Sequence, residues 1–327
     1  MKRILFLFLL FSQFAFSQEQ IVKSVLLNNV TIVGIKDSFD VDEFIHYVKT
    51  DTTFYMAFKH LRYYKHKYES ELNIFNKKGG TIGTLKKWGT HFSDGRNAWV
   101  VDDSIYDKGK IYSKKIRRMI RKNTDTSSSI YAQISKIKGK YKYYTPEAFD
   151  EVFFPQDTIS VSLKMSEGKN KNESQNMRDA KTIGFSVGDD DTQQKKGRMS
   201  AKLAVFDINM QQYYDYIIGS TNYKGRDCYT FTVNVKKELS KKDLGEALIR
   251  KIVSYFDKEN FNVIYREYIF SYRHWLIDLD MHVIVNMDYF NEKHIPTDIY
   301  YKGFWNVAFF KPERAEFKLS LWDYKID

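Results

Sequence analysis

The stretch from Phe270 to Tyr289 alternates apolar and polar residues with a period of two, reverses, and alternates again. That period belongs to extended chain, in which successive side chains point to opposite faces. If Asp278 pairs with Met281 across a two-residue turn at Leu279-Asp280, then Phe270, Tyr272, His274 and Leu276 share a face with Val283, Val285, Met287 and Tyr289. This face is almost wholly apolar. The opposite face carries Ser271, Arg273, His282, Asn286 and Asp288 around a smaller apolar group of Trp275, Ile277 and Ile284. One side of the hairpin is therefore expected to be covered while the other tolerates water. A slip of one residue would exchange the two faces, so the register is itself an expectation.

Elsewhere the chain alternates between the same strand signal and a few helical ones. A strand is expected at 21–33. Asp40 and Glu43 make a capping box for a helix from Val41 to Lys49, and Asp51 can cap a second in which Phe54, Ala57, Phe58 and Leu61 recur at helical spacing. Strands then read at 68–75, 81–92 and 97–102, with connections too short for crossover helices, which makes an antiparallel meander. Thr145-Pro146 opens a short helix, 146–153, with threonine as its cap. The segment 166–200 lacks apolar periodicity and is rich in Asn, Lys, Asp and Gly. It reads as a mobile loop, at which two lobes could also divide. Beyond it strands are expected at 202–209, 211–220, 226–236, 261–270, 298–310 and 314–325, with a helix capped by Ser240 and Asp243 running to about Tyr255.

The first seventeen residues pair Lys2-Arg3 with the apolar run Ile4 to Phe11 and end in Ala15-Phe16-Ser17, the pattern of a secretory signal peptide. The formal charge of +11 falls to +9 once Lys2 and Arg3 are removed. An exported basic protein meets anionic lipid, glycan or protein surfaces rather than nucleic acid. Cys228 is the only cysteine, so no intrachain disulfide can form, and its strand context reads as a buried thiol. The most basic segment, 108–122, scans as an amphipathic helix in which Lys114, Lys115, Arg117, Arg118, Arg121 and Lys122 surround Ile116, Met119 and Ile120. It is either a solvated face or a surface that docks an anionic membrane or an acidic envelope protein.

The runs Tyr213-Tyr-Asp-Tyr-Ile217, Gly225-Arg-Asp-Cys-Tyr-Thr-Phe231, Trp275-Leu-Ile-Asp278, Val283-Ile-Val285 and Asp288-Tyr289 resemble the strand series of the periplasmic lipoprotein carrier and lipoprotein-sorting superfamily. The resemblance covers about Tyr213 to Lys325. It implies an α+β fold in which a curved antiparallel sheet, an incomplete β-barrel, carries helices on its concave face. A cavity for lipid acyl chains or other hydrophobic ligands would lie between them. Residues 18–327 would then form one half-barrel domain of this kind.

Catalytic signals are sparse. Gly184-Phe-Ser-Val-Gly188 matches the nucleophile-elbow pattern, but polar residues stand where a buried strand should precede Ser186, and no alternating α/β layout supports a triad with Asp278 and His294. His274 and His282 fall on opposite faces of the expected hairpin, so with Asp278 and Asp280 they do not converge on a metal. No metal, no cofactor and no nucleic-acid partner are expected. Phe, Tyr and Trp make up 17% of the chain, enough to fill a core and to line a cavity as well. The residues expected to line it are Phe270, Tyr272, Leu276, Val283, Val285 and Met287, with His274 as a polar handle. The alternative is an envelope assembly module whose interior is filled and whose basic helix docks a partner.

Overall fold

The structure, a computed structural model, describes residues 27, 30–34, 39–109, 111–122, 133–134, 137, 139–155, 158–162, 202–274, 277–307 and 311–326. The leader at 1–17, Ser186, Leu276 and the whole of the 166–200 loop lie outside them. Among the described residues twelve strands form one sheet. In chain order the elements are β1 (Val30–Ile32), α1 (Val41–Thr50), α2 (Thr53–His60), β2 (Lys65–Phe75), β3 (Thr81–Ser93), β4 (Asn97–Lys108), α3 (Lys114–Lys122), α4 (Tyr144–Phe153) and β5 (Ile159–Ser160). They continue with β6 (Tyr214–Tyr223), β7 (Arg226–Val235), α5 (Lys241–Glu246), β8 (Ile249–Asp257), β9 (Val263–His274), β10 (Ile277–Phe290), β11 (Lys293–Val307) and β12 (Glu313–Lys325).

Across the sheet the order is β1-β6-β7-β8-β9-β10-β11-β12-β2-β3-β4-β5. Because β12 pairs with β2, with Phe317 opposite Leu72, strands from both halves of the sequence belong to one hydrogen-bonded layer. The sheet is curved and unclosed. Its two edges are β1 and β5, of three and two residues. All neighbours are antiparallel except β1 and β6, where Val30 sits beside Tyr216 in parallel, so the sheet is mixed rather than purely antiparallel.

One face is buried. Along β12, Ala315, Phe317, Leu319 and Leu321 are all buried while Arg314, Lys318 and Ser320 are exposed, the alternation the sequence leads one to expect. Helix α2 packs against β11 and β9, and α4 against β12. Phe54, Ala57 and Phe58 of α2 and Phe149 and Phe153 of α4 join the same core as the inward row of the sheet. The Phe149 ring stacks 4.4 Å from Phe317 and meets Tyr301 edge-on at 5.3 Å.

The central hairpin departs from its expected register. Ile277 pairs with His274, so only positions 275 and 276 separate the strands, and the turn falls four residues earlier than Leu279-Asp280. Asp278 and Asp280 therefore sit on a strand opposite Arg273 and Ser271, and Arg273 forms ion pairs with both aspartates. Moving the turn by four residues shifts the pairing by an even number, so the faces survive: Phe270 now opposes Met281, and Val283 opposes Tyr268, all buried. Tyr289 is the exception. It lies beyond the last β9 partner of β10 and is 52% exposed.

Other boundaries moved for identifiable reasons. The helix expected from 240 to about 255 ends at Glu246, although Ser240 does accept from Asp243 N at its start, 3.2 Å away. Strand β8 takes up the rest of that span. Ile249 pairs with Phe270 and Lys251 with Ile269, so Arg250 is an extra residue, a bulge. The bulge spaces the inward residues Ile249 and Ile252 three apart and so imitates a helical period, but the β-branched and aromatic composition wins. Helix α4 is not capped by Thr145. The carboxylate of Glu313, from the start of β12, accepts from Tyr144 N at 2.7 Å, Thr145 N at 2.9 Å and Thr145 Oγ1 at 2.6 Å. Residues 202–203 are helical and 205–209 form turns, so no strand runs here; Asp207 accepts from Asn209 N at 2.8 Å. The basic helix is confined to 114–122 because β4 continues to Lys108. Within 21–33 only Val30–Ile32 is described as strand.

Candidate ligand site

Phe270, Val283, Val285 and Met287 are brought together as expected, each at most 4% exposed. They belong to the core that contains Phe54, Ala57 and Phe58 of α2, and the neighbouring Tyr268 ring meets Phe54 edge-on at 5.9 Å. Tyr272 is half-buried against the same core. The His274 side chain lies outside the described residues. At Tyr268 the inward face is thus covered by α2, which packs against β9 and β11.

The apolar layer opens at another place, between the start of α1 and the strands β6 to β8. Asp40 caps α1 by accepting from Glu43 N at 2.9 Å, which fixes where the helix begins and turns Phe44 and Tyr47 toward the sheet. Phe39, just before the cap, lies 4.6 Å from the ring of Tyr229 on β7 and 5.3 Å from Phe44. Phe44 meets Phe256 of β8 edge-on at 5.2 Å. Phe261, in the β8–β9 turn, stacks 5.8 Å from Tyr229 and lies 5.5 Å from Tyr47. Its φ of +58° is unfavourable for a residue with a side chain, by about 1–2 kcal/mol, and is held by Phe261 N donating to Asp257 O at 2.8 Å. Phe39, Phe44, Tyr47, Tyr229 and Phe261 wall a cavity of about 550 Å³, within the range usual for small-molecule sites. Its polar border consists of Asp40, Glu43, Ser220 and Lys258, and the Lys258 ammonium lies 5.0 Å above the Tyr229 ring.

None of these lining residues was singled out from sequence as a ligand contact. Their only advance signals were the capping box and the aromatic excess, because four separated segments meet there.

A group of buried charged side chains is enclosed between β2, β3, β4 and α4. Lys87 stands in the inward row of β3 and donates to Asp150 of α4 at 2.6 Å; Lys140 and Tyr141 donate to the other oxygen of Asp150, each at 2.7 Å. Asp102 of β4 lies 3.9 Å from Lys87 and accepts from Tyr68 of β2. Burial alone pushes the Lys87 pKa down, but the Asp102 and Asp150 carboxylates outweigh it and hold the ammonium charged. Burial pushes Asp150 up, and Lys140 with Lys87 more than offset this, keeping its carboxylate below the usual range. Burial and the neighbouring Asp102 and Asp150 charges raise the Tyr68 and Tyr141 phenols well above theirs. Two lysines and two aspartates balance in charge, so the group acts as a strut fastening α4 to the sheet.

Among the described residues no three His, Cys, Asp or Glu side chains gather as metal ligands. Cys228 is fully buried, donates to Arg226 O at 3.4 Å, and burial pushes its thiol pKa up. On α3 only Ile116 is buried, with Met119 and Ile120 half-buried. Lys114, Lys115, Arg118, Arg121 and Lys122 are exposed, and Arg117 folds back to donate to Tyr112 O at 3.2 Å. No described helix is long and apolar enough to cross a membrane.

No family model and no curated protein matches the chain. Among solved structures it is similar to a DUF1329 family protein from Desulfovibrio piger, at 12% identity and a TM-score of 0.23, covering 86% of this chain and 90% of that one. It is also similar to an outer membrane lipoprotein-sorting protein domain from Vibrio parahaemolyticus, at 9% identity and a TM-score of 0.23, with 82% and 88% covered. A third likeness, to lipovitellin, has 8% identity and a TM-score of 0.24 and covers 80% of this chain but 25% of that one. At these values the function of this chain rests on its own residues.

Proposed function

We propose that this is an exported, non-catalytic protein of the cell envelope that holds a hydrophobic ligand between helix α1 and the sheet. The observation that carries the reading is the aromatic-walled cavity of about 550 Å³ that continues the core at Phe44 and Phe256. An acyl chain seated among these rings gains about 0.8 kcal/mol per methylene removed from water, before the costs of association. Phe270, Tyr272, Leu276, Val283, Val285 and Met287, with His274, are further contacts that become available to a ligand when α2 leaves β9 and β11, against which it packs here. Native mass spectrometry of protein gently extracted from its own envelope tests this. Bound lipid is expected, and Phe261→Gly, which removes one wall of the cavity and relieves the positive φ, should reduce occupancy at least tenfold with the fold intact. Lipid-free protein, or unchanged occupancy in the variant, would overturn the reading.

A second reading, an assembly module with a filled interior, is favoured by the sealing of the β9–β11 face by Phe54, Ala57 and Phe58, all at most 1% exposed. In it α3 is the docking element. Each exposed cation near an anionic bilayer contributes about 1 kcal/mol. The triple charge reversal K114E/K115E/R118E is therefore expected to abolish sedimentation with phosphatidylserine-containing vesicles at low salt. Equal sedimentation of variant and parent would remove α3 from the membrane-docking role and leave an acidic envelope protein as its partner.

A further inference from the structure

The outer face of the sheet, opposite the helices, carries a groove of about 550 Å³ that crosses β8 to β12 and reaches Phe75 at the end of β2. Ile269, Phe304 and Phe75 are only half-exposed here and form an apolar floor. Gly303 belongs to the inward row with Met281 and Ala315 and presents only backbone to the floor. A Cβ there would lie 2.6 Å from Asp280 O, so the close approach of β11 to β10 excludes any larger residue.

Three cations from three different strands converge on this floor. Arg250 is the bulged residue of β8, and its guanidinium donates to Leu244 O and Ala247 O, both 2.8 Å away. Arg314 of β12 lies 4.7 Å over the Phe304 ring, and Lys302 of β11 is exposed beside it. The one carboxylate in the lining, Asp280, is bonded to Arg273 at 2.6 Å. Glu316, 3.9 Å from Lys302, is shared with Lys318 at 3.3 Å and with the Tyr300 hydroxyl at 3.0 Å. The groove therefore keeps a positive balance over an apolar surface. Five inter-strand steps from β8 to β2, at about 4.8 Å each, give it a length of roughly 24 Å.

We propose that this groove is a second ligand site, separate from the cavity under α1, and that it takes an anionic amphiphile. The head is met by Arg314 and Lys302, and the chain crosses Phe304 and Ile269 toward the aliphatic stem of Arg250. Neither contact depends on the cavity being a ligand site. The test uses oleate and the neutral oleyl alcohol, titrated into the full chain carrying Phe261→Gly so that the cavity does not contribute. Oleate is expected to bind at least tenfold more tightly than oleyl alcohol, and K302E/R314E to remove that preference while leaving the circular dichroism spectrum unchanged. A photoactivatable oleate should cross-link to peptides of β9 to β12 in the unsubstituted protein, which keeps the proposal testable should the charge-reversed variant fail to fold. Equal binding of the acid and the alcohol, unaltered binding in K302E/R314E, or cross-links confined to α1 and the β8–β9 turn would overturn it.

Discussion

Asp150→Ala is expected to remove at least roughly 3–5 kcal/mol of folding stability, the cost of leaving buried charge uncompensated. A domain is stable by only about 5–15 kcal/mol, so most of the margin would go. The reason is geometric. Both oxygens of Asp150 are in use, one by Lys87 and the other by Lys140 and Tyr141, and the lysines are 2% and 6% exposed, too deep for water to replace the lost carboxylate. The variant would hold two buried ammonium groups that have lost the carboxylate they share, with Asp102 left beside Lys87 and Glu147 near Lys140. Urea unfolding at pH 7.5 measures the loss. Adding Lys140→Met to Asp150→Ala restores one charge of each sign, so the double variant should be more stable than the single one although it carries more substitutions. If Asp150→Ala unfolds within about 1 kcal/mol of the parent, or Lys140→Met deepens the loss, the strut is not what fastens α4 to the sheet.

The second large effect is acid sensitivity between about pH 6.5 and 4. His66 and His91, on the inward rows of β2 and β3, stack 4.5 Å apart and are each 2% exposed. Their Nδ1 atoms both face Tyr64 O, at 2.9 and 3.2 Å. Burial pushes the His91 pKa down to about 4, the nearby Arg62 charge adding to the shift against the bond to Tyr64; burial and His91 lower His66 well below its usual value. A histidine whose folded pKa is depressed stabilises the fold fully above its unfolded pKa of about 6.5, and that contribution is lost as pH falls toward the folded value. For His91 alone the loss is on the order of 3 kcal/mol. Asp150 also favours the fold less in acid, but its lowered pKa places that loss below about pH 3.8, outside this window. Unfolding free energy should therefore fall steeply from pH 7 to 4.5, and His66→Gln/His91→Gln should flatten the slope. His60 and His294, both lowered by burial, leave a residual slope. An identical slope in the double variant would show that the pair does not set acid stability.

The elements that could be read in advance share one property: their signal is local. The caps at Asp40 and Ser240 were legible because the capping group and the amide it accepts from are three residues apart. Which side chains of β9, β10 and β12 face inward followed from alternation, and even the misplaced turn did not change it, since an even shift keeps parity. What failed was whatever depended on a distant partner or an extra residue. Glu313 caps α4 from 168 residues away, and the bulge at Arg250 made a strand look helical. Lys87 was overlooked although it stands in the inward row of a legible strand, because only Asp102 and Asp150, brought by other elements, explain an ammonium there.

Period, face and most helix starts were therefore decided by the order of residues alone, since each arises from backbone geometry acting over a few positions. Register, the parallel edge of β1 on β6, the buried strut, the aromatic cavity under α1 and the cationic groove outside were decided only by the folded chain. Each is made where segments far apart in sequence meet, and the free energy that selects them, from burial and charge pairing, exists only once those segments are in contact.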